Sequence, residues 1–88
     1  MRPILKRVAG LDVHKSIILC TLIKEEDDGN LIKLTREYSS FHKDLKDMAI
    51  WLAEEKIDLA VMESTGVFWK STFEALEEIG IETFVVNA

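Results

Sequence analysis

The chain changes hydrophobic period once, near residue 40, and that change limits its folds more than any other feature. Before it, three stretches are rich in β-formers and none carries a helical stripe. Val8 to His14 (VAGLDVH) alternates, with Val8, Gly10, Asp12 and His14 on one side and Ala9, Leu11 and Val13 on the other. Ser16 to Lys24 (SIILCTLIK) follows across a Lys15-Ser16 turn. Leu31 to Ser39 (LIKLTREYS) follows across the charged reversal Glu25 to Asn30 (EEDDGN) and suits a sheet edge. Links this short make the three strands an antiparallel meander.

After the change, Phe41, Leu45, Met48, Ala49 and Leu52 recur at helical spacing. Ser40 is the expected N-cap, and the helix is expected to run to about Glu55 or Lys56. Asp58 to Met62 (DLAVM) reads as a fully buried strand ending on Glu63. Ser64-Thr65-Gly66 is a turn and cap cluster. Phe68, Thr72, Phe73, Ala75, Leu76 and Ile79 then form a second helical stripe, closed by Gly80 as its C′ residue. Ile81 to Val86 (IETFVV) is a last strand. The order is β-β-β-α-β-α-β, with right-handed crossovers joining the parallel strands. That α/β layout is the one of the ribonuclease H-like fold, and actin-like and sugar-kinase ATPase domains share it.

Composition narrows the class further. At 88 residues the chain is one domain or part of one, and it buries roughly 60–65% of its unfolded surface. With 48% hydrophobic and 31% charged residues it is globular rather than disordered. It has no apolar run of about 18 residues, and Met1-Arg2-Pro3 is followed by too short an apolar stretch for a signal peptide. The single Cys20 fits a reducing cytoplasm and reads as an inert packing residue between Leu19 and Leu22. The net charge of -5 argues against a nucleic-acid footprint spread over the whole domain.

The chemistry concentrates in two acids. An ionised carboxylate taken out of water costs several kcal/mol unless it is paired or binds a metal, yet Asp12 sits mid-strand. Glu63 ends a strand expected to be its parallel neighbour, and ligands in open α/β sheets gather at strand carboxyl ends. Two carboxylates facing each other repel, and Mg²⁺ or Mn²⁺ would relieve that. The plainer alternative has Asp12 accepting hydrogen bonds from the Lys15-Ser16 turn and Glu63 capping the following helix. His14 and Lys15 are candidates for phosphate or a metal-bound water. Ser64 and Thr65 are candidates for phosphate at a helix N-terminus, with plain capping as the alternative. Phe68 and Trp69 are helix neighbours and cannot both face the core.

GLDVHKS paired with MESTGVFWKSTFEAL, then an apolar strand ending VVNA, resembles the N-terminal domain of DEDD-type insertion-sequence transposases. These are relatives of the Piv-type DNA invertases, with a RuvC-like, ribonuclease H-like catalytic domain. The resemblance spans essentially the whole chain, and ESTG followed by an aromatic pair and Lys is its stronger motif. It implies that Asp12 and Glu63 are the first two of four metal-binding acids, and that residues 1–88 are the N-terminal part of a longer catalytic domain. The other two acids and a serine-bearing domain are then expected beyond Ala88, so the 88 residues alone are expected to bind metal weakly and not to turn over DNA.

It further implies Mg²⁺ or Mn²⁺ as cofactor, insertion-sequence ends and target DNA as partners, a guide noncoding RNA, a homo-oligomer and a cytoplasmic location. Three other readings stay open. One is an actin-like or sugar-kinase phosphotransferase fragment, although Asp12 leads into Val13-His14-Lys15 rather than a Gly-containing phosphate turn. Another is a Holliday-junction resolvase-like nuclease. The last is a non-catalytic α/β domain that dimerises through Phe68, Trp69 or its final strand edge.

Overall fold

The structure is a computed structural model and describes residues 7–64 and 66–87. Its elements run β1 (Arg7–Val13), β2 (Ile17–Glu25), β3 (Leu31–Ser39), α1 (His42–Glu54), β4 (Leu59–Ser64), α2 (Trp69–Glu78) and β5 (Thr83–Asn87). The element order is the one read from the sequence. One five-stranded sheet carries them in the order β3-β2-β1-β4-β5. The first three strands pair antiparallel; β1–β4 and β4–β5 pair parallel.

Both helices lie on a single face of this sheet. Ala9, Leu11 and Val13 of β1, Ile18, Cys20 and Leu22 of β2, and Ala60 and Met62 of β4 point into that layer. Leu45, Met48, Trp51 and Leu52 of α1 and Leu76 of α2 meet them there. Each fully buried aliphatic side chain of this kind stabilises the fold by about 1.5–3 kcal/mol relative to exposure. The other face bears no layer among the described residues. The fully buried β4 expected from its apolar run is therefore corrected: Ala60, Met62 and Ser64 are buried while Val61 and Glu63 are exposed. A strand covered on one side alternates whatever its composition.

The helix ends differ from expectation in instructive ways. The N-cap of α1 is Phe41, not Ser40, and Phe41 has no side chain able to cap. Ser39 supplies the hydroxyl instead. Its Oγ accepts the Phe41 N–H at 3.2 Å and donates to Asp44 Oδ2 in the first turn. At the other end α1 stops at Glu54, and Lys56 takes the left-handed conformation at φ 57°. The Lys56 N–H bonds the Ala53 carbonyl and the Ile57 N–H bonds the Leu52 carbonyl. The same pair of backbone hydrogen bonds closes α2 through Gly80 and Ile81, where a glycine meets φ 89° without strain. Phe68 precedes α2 rather than joining its stripe. Trp69 packs inward against Phe73, with ring centroids 5.9 Å apart, and Phe68 stays outside.

Candidate functional site

β1 and β4 run side by side, and their register sets Asp12 directly beside Glu63. The two residues are 51 positions apart in sequence, and only parallel pairing in this register brings them level. Both belong to the uncovered face, so the carboxylates stay in water: the Asp12 side chain is 56% exposed. The desolvation cost that makes a mid-strand aspartate puzzling therefore never arises. His14, two residues on and on the same side of the strand, faces Asp12 with Nε2 3.2 Å from Oδ1.

The capping alternative for these acids finds no support among the described contacts. The Lys15-Ser16 hairpin is closed by a backbone bond from the His14 N–H to the Ile17 carbonyl at 2.9 Å, and the Asp12 carboxylate meets His14. Among the described residues no side chain caps α2, whose N-cap is Phe68.

Ser64 is 3% exposed and turned toward the helical layer, the opposite side from Asp12 and Glu63. It does not share a face with the acids, because successive side chains of a strand alternate. Thr65 lies outside the described residues. Lys15 is exposed at the hairpin tip, next to His14.

The acids border a shallow depression of about 450 Å³ on the open face. Gly10, Leu11, Leu19, Thr21, Val61 and Val86 complete its lining. These residues come from four different strands and share no local motif, although β1 alternation already puts Gly10 on the side of Asp12. A Cβ added at Gly10 would meet nothing within 4 Å. The fold itself does not demand glycine there, and its absence of side chain leaves the depression open next to the carboxylates.

The donor set is chemically narrow. Asp12 and Glu63 offer oxygen only, which suits a hard divalent cation such as Mg²⁺ or Mn²⁺. Among the described residues no group of three or more His, Cys, Asp or Glu side chains is arranged to hold a metal. Two carboxylates suffice for Mg²⁺, which keeps several waters and takes its remaining oxygens from substrate phosphate. Cys20 stands apart from all this. It is buried on the helical side, and burial pushes its thiol up to about 12 despite the nearby Arg36 guanidinium.

Comparison with known proteins bears on the fold. No protein-family profile and no curated protein matches the chain. Solved structures do match. RuvC of Thermus thermophilus superposes with a TM-score of 0.68 at 11% identity, covering 92% of this chain and 63% of RuvC. The Holliday junction resolvase of fowlpox virus gives 0.65 at 8% identity, covering 92% and 60%. A Ppx/GppA family member from Aquifex aeolicus gives 0.61 at 19% identity, covering 96% and 36%.

The fold is ribonuclease H-like. At these identities the likeness speaks for architecture alone. The chain spans between about a third and two thirds of the length of these three proteins. No helix among the described residues is long and apolar enough to cross a membrane.

Proposed function

We propose that the chain is the N-terminal part of a ribonuclease H-like catalytic domain that cleaves and rejoins DNA phosphodiesters with a divalent cation. Asp12 and Glu63 provide the first two of its metal ligands. One observation carries the reading: two acidic residues of separate strands stand level in register on the open face, at the carboxyl ends of parallel strands. A bound Mg²⁺ or Mn²⁺ would supply Lewis-acid stabilisation of charge on a phosphodiester oxygen. The chain's own contribution is positional. The sheet fixes the spacing of the two carboxylates, His14 holds the Asp12 side chain from one side, and the Gly10 depression leaves room for substrate beside them.

The DNA substrate draws support from the fold shared with a Holliday junction resolvase and with RuvC. The finer assignment, a DEDD-type insertion-sequence transposase in the cytoplasm, rests on GLDVHKS and MESTGVFWKSTFEAL. With it come insertion-sequence ends and target DNA, a guide RNA, self-association, and two further acids outside these 88 residues.

Backbone NMR during Mn²⁺ titration tests the site. Signals of Asp12 and Glu63 broaden together ahead of the rest, and the absence of any response up to millimolar metal refutes it. The Ppx/GppA likeness favours a second reading, a phosphatase-type half-domain. It predicts that inorganic polyphosphate, rather than DNA, shifts the same signals. Against it stands Val13-His14-Lys15, which follows Asp12 where a Gly-containing phosphate turn is needed.

A further inference from the structure

The net charge of -5 is not spread evenly over the molecule. Because β1, β3 and β4 run the same way and each helix returns antiparallel to them, one end of the molecule gathers the hairpin tip, Glu63 and the start of both helices. A 3.1 Å bond from the Ser40 N–H to the Ser16 carbonyl ties the start of α1 to that tip. His42 of α1 and Ser71 of α2 line one groove, which sets the two first turns next to each other. This end exposes Lys15, Lys43 and Lys70.

The acidic excess sits at the far end. There lie the Glu25-Glu26-Asp27-Asp28 turn, Glu54 and Glu55 closing α1, and Glu77 and Glu78 closing α2. The 3.0 Å pair Lys24–Glu55 joins these elements.

That arrangement runs against helix stability. A helix N-terminus disfavours cations and a C-terminus disfavours anions. Lys43 and Lys70 nonetheless occupy first turns, neither helix has a basic residue in its last turn, and α2 has no acid in its first. The one acid in the first turn of α1, Asp44, is held by Ser39. Charge is therefore divided unevenly and not by helix preference: acids crowd the far end, while at this end Lys15, Lys43 and Lys70 stand among Asp12, Glu63 and Asp44. Beside the lysines stand two aromatic rings that the core does not use, Phe41 at 76% exposure and Phe68 at 41%. Cations interleaved with exposed aromatic faces suit a nucleic-acid strand, whose phosphates take the lysines and whose bases stack.

We infer that Lys15, Lys43 and Lys70, with Phe41 and Phe68, form the surface that holds DNA against the Asp12–Glu63 end. This deepens the function proposed above and rests on its DNA substrate. The acidic far end faces away from the polyanion and sets its orientation.

Charge reversal separates this from a structural role, because the two predict opposite signs. K43E and K70E each relieve a helix-dipole conflict, so thermal stability holds or rises. Fluorescence anisotropy with a short labelled DNA at low salt reads binding on the same proteins. The double variant K43E/K70E weakens binding about tenfold or more and lowers the salt slope by about 2. Phe41→Ala weakens binding to single strands more than to duplex.

K33E and K56E, at the far end, serve as controls and change binding less than about twofold. Equal loss from the far-end variants, or unchanged binding by K43E/K70E, overturns the inference and leaves the Mn²⁺ test of the acids untouched. No DNA binding by the unaltered chain also overturns it. Failure of the Mn²⁺ test alone removes the metal centre and leaves this surface standing.

Discussion

Replacing Glu63 by glutamine should make the metal-free protein more stable, although it removes a charged residue from a central strand. Glu63 lies level with Asp12 on the adjacent strand, where neighbouring strands are about 4.8 Å apart. Two like charges at that separation repel by about 0.9 kcal/mol in bulk water. Both side chains face solvent, so the water value applies rather than an interior one. His14, 3.2 Å from Asp12, offsets part of the repulsion when it is protonated.

Like charges directly opposite on a sheet destabilise it by roughly 0.2–1 kcal/mol, and Glu63→Gln should recover that amount. For a domain of this size the gain corresponds to about 1–8 °C in melting temperature. Melts at neutral pH in a chelator measure it, and repeating them in Mn²⁺ reverses the order. If the proposed site binds it, metal at about ten times its dissociation constant should stabilise the unaltered protein by about 1.4 kcal/mol. The variant, lacking one of the two proposed ligands, should gain little. A Glu63→Gln protein that melts lower in chelator would refute the reasoning. It would mean that the carboxylate makes a stabilising contact of its own and is not held against repulsion for metal.

Other outcomes follow from the packing. Lys56 pays a left-handed penalty at φ 57°, so Lys56→Gly should raise stability by about 0.5–1 kcal/mol in urea melts, whereas Gly80→Ala at φ 89° should lower it. The Cys20 thiol is raised by burial from 9.0 to about 12, so the folded state keeps a proton that the unfolded state releases. Its contribution is complete below pH 9 and is lost as pH rises toward 12; Cys20→Ala should flatten that alkaline fall, and a thiol reagent should label Cys20 only on unfolding. Arg36 stacks over Trp51, its guanidinium carbon 4.2 Å from the ring centroid, and Arg36→Ala should cost about 0.5–1 kcal/mol by the same urea measurement.

What the sequence determined was everything with a short period. Alternation in β1 put Asp12 and Gly10 on one side and Leu11 and Val13 on the other. Helical spacing located both helices, and Gly80 marked the end of α2. The switch of period near residue 40 set the element order. These readings hold because side-chain direction along a strand or helix depends only on neighbours in the chain.

Tertiary structure decided what joins distant segments. That β4 pairs with β1 in the register Asp12–Glu63, and not one residue off, depends on contacts across 51 positions. A one-residue slip would have turned Glu63 into the helical layer. The choice of one sheet face for both helices left β4 half open, kept Asp12 in water and turned Ser64 away from the acids. The same choice drew Trp69 inward and left Phe68 outside. Local pattern cannot express such outcomes, since they depend on which surfaces of the sheet the helices cover. The aspartate that looked misplaced mid-strand is at home on an exposed face, and the parallel pairing of β1 with β4, expected from the element order, sets the second acid level with it.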